Sequence, residues 1–170
     1  VLDATGNKVG TPVSTFTDYL LYEKDEFAYG QLGRNLFDAV DFGKTGSHTY
    51  TFDMPLYAGG NENLTVVFTA AAEGPTPVDV QVNGTLAGTM NLPALGDYQC
   101  GTTSKKTFPI SSYDAGTSWR VKLSSATVHT AHLDYLALSF DREIHAVDGF
   151  LAFSTKRSGA GTLCVKGYDE

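Results

Sequence analysis

Over much of the chain, apolar and polar residues alternate with a period of two, the spacing that sends successive side chains to opposite faces of a strand. His48 to Met54 sets Thr49, Thr51 and Asp53 against Tyr50, Phe52 and Met54, a strand with one wet face that Pro55 stops. Pro12 to Glu23 places Val13, Thr15, Thr17, Tyr19 and Leu21 on one face and Phe16, Leu20 and Tyr22 on the other. Two runs, Leu64 to Ala72 and His132 to Arg142, are apolar on both faces. In the second, Leu133, Tyr135 and Ala137 alternate with Leu136, Leu138 and Phe140. That pattern predicts a central strand, covered on one side by a second sheet and on the other by loops or a helix. A helix is the competing reading of so short an apolar run, and the aromatics and flanking turn signals favour the strand.

Turn chemistry divides the remaining segments. Val78 to Val82 and Thr85 to Met90 flank Asn83-Gly84, a pair suited to a type I′ hairpin turn because both central residues need positive φ. Asn91 to Lys106 reads as a long loop. Thr107 to Ile110, Trp119 to Leu123, Phe150 to Thr155 and Thr162 to Lys166 complete about nine or ten strands. Lys24 to Phe42 is less regular, broken by Gly30 and Gly33, with one helical turn predicted over Asn35 to Val40 and capped by Asn35. The spacing predicts an all-β fold, an antiparallel two-sheet β-sandwich of jelly-roll type, with residues 1–170 as a single domain.

Composition sharpens this picture. With 42 % hydrophobic and only 18 % charged residues in 170, the chain can bury a sizeable core. The net charge of −7 repels phosphate backbones and anionic headgroups, which argues against nucleic acid and membrane-surface partners. No run of apolar residues is long enough to span a bilayer, so no membrane insertion is expected. The chain opens on Val-Leu-Asp-Ala-Thr-Gly without an initiator Met, and reads as a fragment of a larger multidomain protein.

Candidate chemistry is sparse. Cys100 and Cys164 permit a disulfide without demanding one; a bridge would be worth about 4 kcal/mol in the chain-entropy model, and two separate thiols are the alternative. A cysteine nucleophile needs a histidine beside it, and no spacing pairs either cysteine with His48, His129, His132 or His145. Glu23 and Asp25 could act as paired carboxylates, but Lys24 between them and Arg34 downstream favour a structural ion-pair network of Glu23, Asp25 and Arg34. Cys, His and Asp show no metal-ligand spacing, so neither metal nor cofactor is expected, a calcium held by loop carbonyls remaining open. Tyr57, Tyr98 and Tyr113, in loops beside Gly or Pro or near them, are the candidates to face a ligand such as a sugar ring, or else they cap the sandwich. Trp119 alternates with Val121 and Leu123 and reads as core.

Three segments together carry a family resemblance. Tyr22-Glu23-Lys24-Asp25-Glu26-Phe27, followed by Gly33-Arg34 and Phe37, resembles a pattern of the type IX secretion sortase, a gingipain-like cysteine peptidase family of Bacteroidetes-type bacteria. His132-Leu133-Asp134-Tyr135-Leu136 with Phe140-Asp141-Arg142, and then Gly149 to Phe153, resemble its Leu-Asp-Tyr strand and the strand after it. Leu36 stands where that pattern has Trp, and Ala39 where it has an acidic residue. The resemblance implies a non-catalytic β-sandwich region ahead of a caspase-like peptidase domain, on the outer-membrane surface or outside the cell. It implies that neither cysteine here is catalytic, and that the partners are the adjacent peptidase domain and secreted cargo proteins. The rival classes are a carbohydrate-binding module, with glycans as partners, and a structural adhesin domain.

Overall fold

The computed structural model describes residues 11–30, 34–110, 118–154 and 161–167. Eight strands run in the order β1 (Thr15–Glu23), β2 (Ser47–Asp53), β3 (Asn63–Ala70), β4 (Thr76–Val82), β5 (Thr85–Leu92), β6 (Thr102–Pro109), β7 (Ser118–Ser124) and β8 (Ala131–Glu143). A helical turn, α1 (Phe42–Thr45), precedes β2. The strands form two four-stranded antiparallel sheets, one ordered β1-β8-β3-β6 (sheet I) and the other β2-β7-β4-β5 (sheet II). Eight strands alternating between two sheets in this way make a jelly roll.

The core lies between the sheets. Sheet I contributes Leu64, Val66 and Phe68 from β3 and Leu133, Leu136, Leu138 and Phe140 from β8. Sheet II answers with Tyr50 and Phe52 from β2, Val78, Val80 and Val82 from β4, Met90 and Leu92 from β5, and Trp119, Val121 and Leu123 from β7. Each such side chain contributes about 1.5–3 kcal/mol when fully buried. Trp119 belongs to this core, as its alternation predicts. The Asn83-Gly84 hairpin also forms as expected, with φ of 49° and 85° at its two central residues.

The differences from expectation have local causes. Among the described residues there are eight strands, not nine or ten. Residues 150–154 and 161–167 make isolated bridges, Val147 with Phe150, Val13 with Leu163 and His145 with Lys166, and no ladder; Thr155 lies outside the described residues. β6 starts at Thr102, inside the segment read as loop, because Thr-Thr-Ser-Lys-Lys carries no apolar stripe. An edge strand with its outer positions in water needs none. The helical turn falls at 42–45 instead of 35–40, with Asp41 as its cap: Asp41 Oδ1 accepts the Gly43 N–H at 3.1 Å. Phe37 is unavailable to a helix because its N–H and C=O both bond the backbone of Phe27.

β8 occupies the predicted central position, but its two faces are not the ones alternation gives. Val67 pairs with Tyr135 while Phe68 pairs with Leu133, so Asp134 is an extra residue, a β-bulge. Past the bulge every side chain changes face. Leu133 therefore turns into the core beside Leu136, and His132 turns outward. The outer face is covered only in part, since Tyr135, Ala137 and Ser139 are half-buried.

Candidate functional site

The outward turn of His132 organises one end of sheet I. Residues 24–30 and 34–41 lie across this outer face as a strap. Phe27 and Phe37 hold the strap together through reciprocal backbone bonds of 2.9 and 2.8 Å. The Phe27 ring stacks on the His132 imidazole at 3.9 Å and 14°, and Tyr29 meets both His132 and Phe37 edge-on. Tyr29 Oη donates to the carbonyl of Thr130 at 3.1 Å. His132 is consequently only 1 % exposed.

Asp38 is the strap's anchor. Its N–H donates to the Leu133 carbonyl at 2.9 Å and its own carbonyl accepts from His132 Nδ1 at 2.8 Å. A carbonyl can only accept, so Nδ1 carries the imidazole proton. The buried Asp38 carboxylate takes the Tyr22 hydroxyl at 2.5 Å through Oδ2 and the Val40 N–H at 2.8 Å through Oδ1. Burial, then the Asp38 hydrogen bond and charge, push the Tyr22 hydroxyl well above the usual tyrosine range. Burial pulls the His132 pKa down, against the bond to Asp38 and the charges of Asp41 and Asp38. Burial also tends to raise the Asp41 carboxyl, but N–H bonds from Ala131 and Gly43 and the contact with Lys44 outweigh it, leaving it below its ordinary value. Gly43 is required at this corner, since a Cβ there would lie 2.3 Å from the His129 carbonyl oxygen.

This constellation holds structure. His132 faces rings and a carbonyl, with Nε2 unpartnered and no nucleophile bonded to it among the described residues. Cys100 and Cys164 are both exposed free thiols, so the disulfide alternative is not realised. Beside the strap, an open cleft of about 340 Å³ is lined by Arg34, Gln99, Cys100, Tyr29 and Thr103, among others. No three of the described His, Cys, Asp and Glu residues gather as metal ligands.

The residues singled out in the sequence fall elsewhere. Glu23, Asp25 and Arg34 are all exposed, and no ion pair joins them among the described residues. The buried network expected of them is replaced by Asp38, Tyr22 and His132, which pin the same segment through uncharged donors and stacked rings. Lys24 instead lies 3.9 Å from Glu26. Glu23 and Asp25 approach Asp134, whose carboxyl is raised by burial and then by those two charges. Tyr57 is half-buried: its ring sits 6.1 Å from both Trp119 and Phe140, and its hydroxyl donates to Glu62. Tyr98 projects fully into solvent from a residue with φ of 64°. Tyr113 lies outside the described residues. Asp38 and His132 were the anchors that sequence reasoning missed; a lone histidine opening a strand apolar on both faces was the available signal.

No family model matches the chain, and no curated protein matches its sequence. Among solved structures, the jelly roll is similar to dimeric latent PorU from Porphyromonas gingivalis, with a TM-score of 0.67 and 16 % identity over 83 % of this chain. The chain spans 14 % of the PorU chain. It is also similar to a CBM36 carbohydrate-binding module in complex with calcium and xylotriose (TM-score 0.41, 18 % identity, 54 % of this chain and 71 % of that one). A family 35 carbohydrate binding module from Clostridium thermocellum gives a TM-score of 0.41 at 13 % identity, over 76 % of this chain and 98 % of that one. The likeness to PorU is one of fold.

Proposed function

We propose that this chain is a non-catalytic accessory β-sandwich domain of a cell-surface gingipain- or sortase-like cysteine peptidase, positioning its catalytic domain or recruiting secreted protein cargo. One observation supports this reading above others. Residues that carry the family resemblance, Tyr22, Phe27, Phe37 and the His132–Tyr135 stretch, meet in space as the strap and the bulged start of β8. They shape a surface, with the charged members of the same pattern, Glu23, Lys24, Asp25, Glu26 and Arg34, exposed. The PorU fold likeness, which covers most of this chain and a small part of that one, suits a domain within a larger protein. The cell envelope is the compartment that goes with this reading.

The isolated chain is expected to turn over neither peptides nor glycans, and its gene to continue into a domain bearing a catalytic His and Cys. Turnover of a peptide or glycan panel that disappears in Cys100→Ala, Cys164→Ala or Glu23→Ala would overturn the reading. So would a downstream glycosidase domain. The rival, a carbohydrate-binding module, has one observation in its favour, the free ring of Tyr98. A glycan-array ligand weakened by Tyr98→Ala would move the assignment there.

A further inference from the structure

β1 is an edge strand of sheet I, with fewer of the usual edge-closing devices than its counterpart β6. Among the described residues only β8 pairs with it, so its second edge is open along nine residues. Thr-Phe-Thr-Asp-Tyr-Leu-Leu-Tyr-Glu contains no Lys and no Pro, and its register against β8 runs without a bulge. The opposite edge of the same sheet differs. There β6 carries Lys105 and Lys106 and closes on Pro109. Within the strand Asp18 is the one charged residue on the inward side, and Arg142 holds its Oδ2 at 2.9 Å. Its Oδ1 takes the Tyr19 N–H at 2.9 Å, a bond that an incoming carbonyl would have to replace.

The side chains along the open edge are graded. Leu20 and Tyr22 pack against the core, so Tyr19, Leu21 and Glu23 stand on the outer face. Tyr19 is 69 % and Leu21 61 % exposed, beside half-buried Ala137 and Tyr135. Tyr19 and Leu21 thus form an exposed apolar pair beside the unpaired edge. Where β1 ends, Glu23, Asp25 and Asp134 form an acidic corner, and Lys24 turns to Glu26. The apolar stretch and the negative corner lie on one line.

We propose that the open edge of β1 docks an extended polypeptide segment by strand addition, with a basic side chain opposite Glu23 and apolar side chains opposite Leu21 and Tyr19. Added antiparallel, like every strand pair in both sheets, the segment reads basic–x–apolar–x–apolar along its own direction. Main-chain bonds to β1 supply affinity, and the three outer-face positions supply selectivity. Charge complementarity selects this occupant over a second copy of the chain, which would bring another net charge of −7 to the same edge. The surface stands on the edge itself and does not depend on which protein the domain belongs to.

The probe is a labelled synthetic peptide, Thr-Lys-Thr-Val-Thr-Phe-Thr, read by fluorescence polarisation beside a scrambled peptide of the same composition. Saturable binding of the patterned peptide is expected, with the 15–23 amides gaining hydrogen-exchange protection. Leu21→Lys and Glu23→Lys should each weaken it about tenfold. Both positions are exposed, so unchanged melting curves will show that the fold is intact. Glu23→Lys should in turn prefer the peptide with Glu in place of Lys. The proposal is overturned if the patterned peptide does not bind, if the scrambled one binds as well, or if Leu21→Lys changes nothing. A concentration-dependent dimer that Leu21→Lys breaks would also overturn it, giving the edge to a second copy.

Discussion

At the start of β8 the outer face of sheet I lies beneath the strap, and His132 is 1 % exposed; along β1 the same face leaves Tyr19 and Leu21 in solvent. Both regions are built from strand residues with similar propensities, so propensity does not separate them. What separates them is whether a segment with its own anchors crosses the face. The strap bonds itself through Phe27 and Phe37, and bonds the sheet through Asp38 and Tyr29. A sheet face is therefore finished by what the chain can fasten to it. Where nothing fastens, apolar residues remain as a surface for something else.

The largest test of this contrast removes the strap's keystone ring. Phe37 is buried and Tyr29 leans on it edge-on. Phe37→Ala should cost about 3–5 kcal/mol in denaturant melts, the usual loss for a buried phenylalanine. Leu21→Ala, at the bare region, should stay within about 0.5 kcal/mol. Hydrogen exchange should then show the amides of Phe27, Phe37, Asp38 and Val40 losing protection in Phe37→Ala while the β4–β5 hairpin keeps its own. Equal costs at the two sites would erase the comparison.

A middle-sized effect should appear with pH. Burial lowers the His132 pKa, so the folded chain takes a proton later than the unfolded chain as acid is added. Its contribution is then fully present above the unfolded value, roughly 6.5, and is lost as pH falls from there towards the folded value. The groups facing it are the Asp38 carbonyl and carboxylate, Asp41, Lys44, and the rings of Phe27 and Tyr29. Asp41, lowered below its ordinary value, loses stability in the same direction but in stronger acid. Asp134, raised, runs the other way, its contribution being lost as pH rises through its folded value. Melting temperature should therefore fall between about pH 7 and pH 5 in the parent chain, and His132→Gln should flatten that slope. An unchanged slope in the variant would remove His132 from the account.

Much of the sandwich was legible because its inner faces obey a period of two. β2, the Asn83-Gly84 hairpin and β7 follow directly from alternation and one turn pair. β6 was half hidden, since an edge strand of Thr, Ser and Lys buries little. The site was harder to read for a different reason. His132 points outward only because Asp134 is an extra residue, and one added residue inverts every assignment beyond it. Nothing in Leu-Asp-Tyr announces that the ladder slips there. The role of Asp38 was equally hidden, because its partners Tyr22, Val40, His132 and Leu133 come from three separate stretches of chain. Cross-chain partners of this kind leave no local pattern.

The smallest expected effect is also the clearest reversal of the sequence reading. As a buried partner of Glu23 or Asp25, Arg34 would leave a stranded carboxylate when removed, costing about 3–5 kcal/mol. Instead Arg34 is exposed on the rim of the cleft beside the strap, with no ion pair among the described residues. An exposed guanidinium gives up little on removal, because water replaces its contacts and salt already screens its charge. Arg34→Ala and Arg34→Lys should each change stability by less than about 1 kcal/mol, and neither should alter the pH slope set by His132. The pair of variants matters because lysine keeps the charge while losing the planar fork. A loss above about 2 kcal/mol in Arg34→Ala, restored by Arg34→Lys, would mean that charge at this position fastens the strap after all. The contrast between an anchored and a bare face would then rest on electrostatics rather than on Asp38, His132 and their rings.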